Sequence, residues 1–149
     1  MTDQQAVFSI EKIYVRDLSI EVPNAPAIFL EREAPAIGVQ IQTAATNIGD
    51  GNFEVVVTIT VTAKKEEKVF FLVEVAQAGI FQIRNVPDQE MQPILAIGCP
   101  NILFPYARES ISDATNRAGF PPVLLAPVNF EALYQQSEQA ADAAPVQLQ

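Results

Sequence analysis

Histidine is absent from this 149-residue chain, and cysteine occurs only once, as Cys99. Without histidine there is no His-based triad, proton relay or histidine zinc site. One cysteine supplies neither a CxxC metal site nor an internal disulfide. No glycine-rich GxGxxG or GxxxxGK[ST] loop supports a nucleotide site. Cys99 could act as a nucleophile, but no base is evident, and a buried structural thiol is favoured. We therefore expect no catalytic residue, cofactor or metal.

Basic residues are also scarce, since nine Lys and Arg stand against 18 Asp and Glu, for a net charge of −9. Phosphate binding needs clustered Lys and Arg, so nucleic acid is not an expected partner. No apolar run approaches the roughly 18 residues of a membrane span. The N-terminus lacks the basic and apolar stretches of a secretory signal. With the single cysteine, these features predict a cytoplasmic protein without direct membrane insertion.

The composition favours one domain that hides part of its surface in an oligomer. Only 18% of the residues are charged, whereas 49% are hydrophobic, and 149 residues is a usual single-domain length. A small, lightly charged chain of this kind commonly buries its surplus apolar surface between subunits. The tail after Gln135 has no aromatic residue. We expect a domain over residues 1–134, followed by a helix end and flexible tail over 135–149.

The first half of the chain carries strand patterns. Residues 7–22 alternate between apolar and polar in parts, but the parity slips twice, which predicts a bulge or a twist rather than one flat strand. Alternation then predicts strands around residues 37–41 and 53–62, and a mostly apolar fourth strand over 69–83. The prolines of segment 24–35 indicate a crossing loop. Turn residues at 49–52 and 64–67 indicate hairpins, which join antiparallel strands.

Helical spacing follows. Residues 88–97 form a short predicted helix capped by Asp88. A second helix is predicted over 103–118, with Pro105 in its first turn and Gly119 at its end. Asn129 is positioned to cap a last helix over 130–139. The fold class that results is α+β: a four-stranded antiparallel sheet with helices packed on one face and the other face exposed.

Four long motifs mark a resemblance to a known family. They are EVPNAP, LVEVAQAGIF, CPNILFPYARE and FPPVLLAPVNFEALY, and they follow one another in this order between Phe8 and Tyr134. In these motifs the chain resembles the SecB preprotein-export chaperones. The resemblance implies an ATP-independent holdase that binds unfolded preproteins in apolar grooves. It implies delivery of the preproteins to SecA, the export motor ATPase, and assembly as a homotetramer, a dimer of dimers.

The resemblance also suggests a docking surface for SecA, which in the family contributes a small, basic, zinc-bearing C-terminal segment. The matching positions are Asp17, Glu21, Leu72 and Glu74. From alternation alone, Leu72 and Glu74 share one face of strand four, and Asp17 and Glu21 share one face of strand one. If the two strands are neighbours, their carboxylates form an acidic patch. Without the resemblance, Glu74 is better explained as an ordinary solvent-facing residue on a half-exposed sheet.

Two further sets of residues have a binding interpretation and a simpler one. The first set matches family positions that affect tetramer assembly or lies on the small-faced second helix: Val73, Val75, Gln77, Tyr106, Ser110, Ile111 and Ala114. The second set consists of candidate lining residues of the client groove: Phe29, Ile37, Val39, Ile41, Phe120, Val123, Leu124, Leu125, Phe130 and Leu133. Packing inside the chain's own core is the alternative for both sets.

Two other functions stay open at the level of sequence. One is an adaptor dedicated to a single client, as in SecB-like chaperones tied to toxin–antitoxin systems. The other is a small-molecule binding protein, or an enzyme that uses carboxylates, in the same apolar cleft. Suppression of aggregation across several unfolded proteins favours the general chaperone, whereas saturable binding of one metabolite favours the small-molecule protein.

Overall fold

A four-stranded antiparallel sheet forms the frame of the molecule. The computed structural model describes residues 5–143, with side chains from 5 to 138. The strands are β1 (Val7–Glu21), β2 (Ala36–Gly49), β3 (Asn52–Lys65) and β4 (Lys68–Arg84), in the order β1-β4-β3-β2. The last three strands form a meander, because Gly49, Asp50 and Gly51 turn with positive φ and Glu66 does the same in the next hairpin. The predicted α+β class is confirmed.

β1 pairs with β4 on the side opposite to β3, and the crossing loop connects β1 to β2 at the other edge of the sheet. This loop contains one short 3₁₀ turn, Ala27–Leu30. Its register against β4 shifts between Ile10 and Lys12 and again between Val15 and Asp17. Of the two alternatives that the slips in parity left open, a bulge or a twist, the register shows a bulge at each place. β1 and β2 are the two edges of the sheet, so each presents one row of backbone groups that no other strand of the described chain pairs.

The helices differ from the prediction in one respect. The chain is helical without a break from Asp88 to Arg117, as α1 (Asp88–Pro93), a π-helical turn (Ile94–Gly98) and α2 (Cys99–Arg117). The prediction of two separate helices with Pro105 in a first turn was therefore wrong, since Pro105 lies inside α2. The prediction that Asp88 caps the first helix was also wrong, since the N-cap position is Pro87 and Asp88 is the first residue of α1. Pro105 offers no N–H to the carbonyl of Asn101 one turn earlier, and both residues lie on the exposed side of α2.

The end of α2 and the start of α3 (Phe130–Ala143) lie where Gly119 and Asn129 predicted them. Gly119 follows α2 with φ of 99°, and the Asn129 side chain accepts a hydrogen bond from the Ala132 amide at 3.0 Å. The predicted domain boundary at residue 134 falls within α3. The last six residues of the predicted tail, 144–149, lie outside the described residues.

One apolar layer joins the sheet to the helices. Alternate residues of β3 and β4, including Val57, Ile59, Val75 and Phe81, are fully buried and face α2, where Leu103 is also fully buried. The opposite side of these strands carries Thr58, Thr60 and Glu74, and no helix of residues 5–143 covers it. We call the two sides the helix-covered face and the open face.

Cys99 lies in this layer and is completely buried. Desolvation raises the pKa of its thiol from 9.0 to about 12. A thiol without thiolate character reacts slowly with disulfide reagents. We expect native protein at pH 8 to react with Ellman's reagent far more slowly than protein unfolded in urea. A rapid burst of one thiol per native chain would contradict this burial.

The same pKa has a consequence for stability. The folded state retains the Cys99 proton more strongly than the unfolded chain. The protonated thiol therefore makes its full contribution to the free energy of unfolding below pH 9. This contribution is lost as the pH rises from about 9 towards 12, where the unfolded thiol ionises first. Urea unfolding of wild type and Cys99→Ala across this pH window isolates that slope, which we expect to be steeper in wild type.

Candidate binding surfaces

A groove of about 730 Å³ opens on the helix-covered face, between the crossing loop and the segment after α2. We call it the main groove. Seven of the ten predicted lining residues border it: Phe29, Ile37, Val39, Phe120, Val123, Leu124 and Leu125. The other three border a separate concavity of about 350 Å³ between β2 and α3: Ile41, Phe130 and Leu133. The structure therefore divides the predicted lining residues between two concavities, and a client-binding role for either one stays a prediction.

Aromatic rings form the floor of the main groove. The Phe29 and Phe120 rings stack with centroids 5.0 Å apart, and Phe120 meets Phe71 at 4.8 Å. Phe71 belongs to β4 and is 2% exposed, whereas Phe29 is 46% exposed. The floor thus runs from the buried Phe71 to the partly exposed ring of Phe29. A partly exposed ring suits transient contact with an apolar side chain.

The wall formed by residues 119–126 is held by hydrogen bonds to α2. The buried Thr115 hydroxyl accepts from the Val123 amide at 3.0 Å and donates to the Ile111 carbonyl at 2.9 Å. The Arg108 Nε donates to the Leu125 carbonyl at 2.7 Å. A proline-rich segment has few backbone donors of its own, so these side-chain bonds fix its path. The wall is therefore preformed.

The opposite wall is the crossing loop, which the β3–β4 hairpin anchors. The Asn24 amide donates to the Val69 carbonyl at 3.0 Å. Lys68 pairs with Glu31 at 2.6 Å, and Lys65 pairs with Glu33 at 2.9 Å. Such exposed ion pairs contribute little individually. The main restraints on this wall are therefore the hydrogen bond from the Asn24 side chain to Val69 and the packing of the buried Ile28.

Exposure separates true groove residues from core residues. Leu124 is 66% exposed, and Ile37 and Val39 are 46% and 44% exposed. Leu125 and Phe130, by contrast, are only 5% and 2% exposed. The prediction that these two present their side chains to a client was therefore wrong: each packs into the apolar layer, and the Phe130 ring meets Phe104 edge-on at 6.0 Å.

Gly119 borders the main groove, and a substitution there tests how closely it approaches Phe29. A Cβ at this position lies 3.0 Å from Phe29 Cε1, and the φ of 99° disfavours side chains. We expect Gly119→Val to lower the free energy of unfolding by about 1–3 kcal/mol. It should also displace the Phe29 ring. Urea unfolding measures the first effect.

Gly98→Ala is the matched control for Gly119→Val. A Cβ at position 98 meets nothing within 4 Å, and φ there is an ordinary helical −64°. We expect stability to be unchanged or to rise by up to about 1 kcal/mol, since alanine favours a helix over glycine. Equal losses in the two variants would show that the contact with Phe29 is not tight.

The open face carries the predicted acidic patch. In the β1–β4 register Asp17 lies opposite Ala76, Ser19 opposite Glu74, and Glu21 opposite Leu72. Directly paired residues share a face, so the four predicted docking residues lie together. We define the acidic patch as Asp17, Glu21 and Glu74, which are all exposed. Glu74 accepts a hydrogen bond from the Thr60 hydroxyl at 2.9 Å.

A cluster beside the acidic patch was missed from sequence. Arg16 Nη1 lies 2.9 Å from Glu54 Oε1, and the Tyr14 hydroxyl donates to the other oxygen of the same carboxylate. This hydrogen bond, with desolvation and the carboxylate charge, raises the pKa of Tyr14 above 10.0. The partners are about 40 residues apart in the chain, so only strand pairing brings them together.

The residues predicted for assembly divide between core and surface. Five are at most 6% exposed within the single chain: Val73, Val75, Gln77, Ile111 and Ala114. They belong to its own core, so they can affect assembly only by supporting neighbouring elements. Tyr106 is 50% exposed and Ser110 is half-buried. These two remain available for direct contact between subunits.

Edge strand β1 presents an apolar row that sequence reasoning did not assign to a surface. Phe8, Ile10, Val15 and Leu18 are each 45–47% exposed. Their partners on β4, which include Phe81 and Val75, are buried, so the row lies at the rim of the helix-covered face. The alternating pattern indicated a strand with one apolar side, but not that these four side chains stay about half exposed in the described chain.

Comparisons with known proteins agree over nearly the whole chain. The family described as preprotein translocase subunit SecB matches residues 1–141. The protein-export protein SecB of Dechloromonas aromatica is 59% identical over 146 residues, covering 98% of this chain and 96% of its own. The protein of the same name from Chromobacterium violaceum is 63% identical over 147 residues, covering 96% and 98%.

A solved structure shows the same fold. The Mycobacterium tuberculosis SecB-like chaperone in complex with a ChAD peptide from the HigA1 antitoxin is similar at a TM-score of 0.66. The similarity covers 81% of this chain and 90% of that chain, at 19% sequence identity. Among the described residues, no helix has both the length and the apolar character that crossing a bilayer requires. From its motifs, its fold and its relatives, the chain belongs to the SecB family of protein-export chaperones.

Proposed function

We propose that this chain holds unfolded preproteins in the main groove, in the cytoplasm, and passes them to SecA through the acidic patch. The observation that carries the proposal is the open state of the groove. Leu124 and Phe29 expose 66% and 46% of their surface, although the walls around them are fixed by hydrogen bonds. Ordering these side chains in advance lowers the cost of binding a flexible chain.

The groove chemistry suits reversible holding without nucleotide. Burying one large apolar side chain contributes roughly 1.5–3 kcal/mol before the costs of ordering the client. One such contact is weak, so a client can leave. Several grooves on one particle act together through effective concentration, which makes the whole complex persist. Breadth of client choice follows because aromatic and aliphatic linings recognise size and polarity rather than a sequence.

The acidic patch lies on the side of the sheet opposite to the main groove. A partner can therefore contact the patch while a client occupies the groove. A basic segment of SecA is the partner whose charge complements three exposed carboxylates. Release then comes from the ATP cycle of SecA.

Assembly as a dimer of dimers is supported by the edge of β1. Four exposed apolar side chains there, Phe8, Ile10, Val15 and Leu18, lie beside a row of backbone groups left unpaired in the described chain. Monomeric proteins usually protect such an edge with charges or cover it. A second copy of the chain is the proposed cover, with Tyr106 and Ser110 of α2 in the remaining contacts.

Light scattering with several unrelated unfolded proteins tests the holding function. We expect the chain to suppress their aggregation without ATP. The unfolded proteins should include a preprotein, a non-exported protein and a slow-folding variant. Suppression confined to one of them would favour a dedicated adaptor, and a lack of suppression would overturn the proposal.

A further inference from the structure

The Tyr14–Glu54–Arg16 cluster lies beside the acidic patch but takes no part in the function proposed above. Arg16 and Tyr14 occupy the two oxygens of one carboxylate. The Glu54 side chain is 17% exposed, whereas Arg16 is 58% exposed. A phenol is protonated at neutral pH, so the Tyr14 hydroxyl is the donor in its hydrogen bond to Glu54. The carboxylate is therefore held in place on one side and free to bind a cation on the other.

A bulge explains why an arginine points to this side of the sheet. Val15 lies opposite Gln77 and Asp17 lies opposite Ala76, which leaves Arg16 without a partner on β4. In a regular strand, consecutive residues point to opposite faces. The extra residue removes that separation, so Arg16 and Asp17 both reach the open face. The positively charged Arg16 is therefore the direct neighbour, on the same face, of Asp17 in the acidic patch.

The ion pair directs this charge away from the patch. Asp17, Ala76 and Thr58 form one row across the sheet, and Glu54 belongs to another row, four residues along β3. Four residues of antiparallel strand span about 13 Å. Within residues 5–138, where side chains are described, none of the three patch carboxylates forms an ion pair. Arg16 is paired with the distant carboxylate instead of the adjacent one.

We infer that Tyr14 and Glu54 are positioning residues, which hold Arg16 off Asp17 and thereby keep the acidic patch available to a cationic segment of its partner. This inference rests on the docking role proposed above. A guanidinium released from Glu54 still belongs to the residue directly before Asp17, whose carboxylate is exposed on the same face. At physiological salt, charges interact over about 8 Å, so a guanidinium at Asp17 cancels much of the local attraction that a cationic partner meets.

Binding of purified SecA to a small set of variants tests the inference. Calorimetry at low salt compares wild type with Glu54→Gln, Arg16→Gln and the double variant. Exposed ion pairs have modest strength, so we expect Glu54→Gln to raise Kd roughly threefold to fivefold. Arg16→Gln and the double variant should bind at least as tightly as wild type, because no guanidinium is left to block Asp17.

Glu11→Gln is the control for charge alone. Glu11 is an exposed carboxylate at the other β1 bulge, and its removal changes the net charge by the same amount without releasing Arg16. We expect its Kd to stay within twofold of wild type. An equal loss in Glu11→Gln and Glu54→Gln would overturn the positioning role, and so would a double variant as weak as Glu54→Gln.

Nuclear Overhauser effects of the Arg16 side chain provide a readout that needs no partner. We expect contacts to the Tyr14 ring in wild type, and their loss with new contacts to Asp17 in Glu54→Gln. Unchanged contacts to Tyr14 would overturn the positioning role even if Kd rose. If wild type fails to bind SecA while the Arg16 contacts shift as expected, the docking role is overturned and the inference about partner access falls with it.

Discussion

Reversal of the acidic patch should abolish binding of SecA while leaving client capture intact. In the variant Asp17→Lys, Glu21→Lys and Glu74→Lys, three exposed carboxylates on one face become three cations. A basic segment is then repelled rather than attracted, and we expect its Kd to rise about 100-fold or more. Surface substitutions of this kind change stability by only about 0.5 kcal/mol each. Calorimetry with SecA and light scattering with an unfolded preprotein measure the two activities.

A charge-matched control tests whether the position of these charges matters. Glu67, Glu90 and Glu109 are also exposed and lie outside the patch. Changing all three to lysine alters the net charge equally, so we expect SecA binding to fall at most severalfold. Loss of client capture together with SecA binding in the patch variant would argue against separate surfaces for the two partners.

Placing a charge in the main groove should weaken client capture without unfolding the chain. Leu124 is 66% exposed on the groove wall, so Leu124→Asp costs the folded state little. In the complex, an apolar client side chain must either desolvate the carboxylate or lose its contact. We expect an affinity loss of about tenfold for each groove. Fluorescence anisotropy with a labelled unfolded preprotein measures it.

Leu30→Asp is the control for Leu124→Asp. Leu30 is 82% exposed on the crossing loop but does not line the main groove. The same chemical change there should leave client affinity within twofold of wild type. If both variants lose affinity equally, clients bind to the general apolar surface rather than to the groove.

Leu125 behaves differently from its neighbour although the residue type is the same. At 5% exposure it belongs to the apolar layer, so Leu125→Asp buries an unpaired carboxylate. We expect this variant to lose about 3–5 kcal/mol of stability. Any loss of capture would then reflect unfolding, which makes Leu125 unsuitable as a test of the groove.

The comparison of the two leucines shows where sequence reasoning reaches its limit. In strands, a period of two assigns each residue to a face, so the shared face of Leu72 and Glu74 followed from alternation. The segment 119–126 has no period. Which leucine faces water there depends on bonds from Thr115 and Arg108 of α2. Those bonds join residues that no local pattern relates.

The helices show the same limit. Proline at position 105 suggested the start of a helix, because a first turn tolerates its missing N–H. The chain instead continues from α1 through a π-helical turn into α2. Packing of Leu103 and Ile111 against the sheet offsets the lost hydrogen bond. Local propensity yields to burial wherever an amphipathic helix has a large apolar partner.

The sequence alone determined the α+β class, the irregularity of β1, the turns and the family, because each of these follows from local order and contiguous motifs. Tertiary structure decided which apolar residues stay open to a client, the division of the lining between two concavities, and the pairing of Arg16 with Glu54. The physical reason is that exposure and ion pairing depend on distances between residues far apart in the chain, which pairing of the strands and packing of α2 establish only after folding.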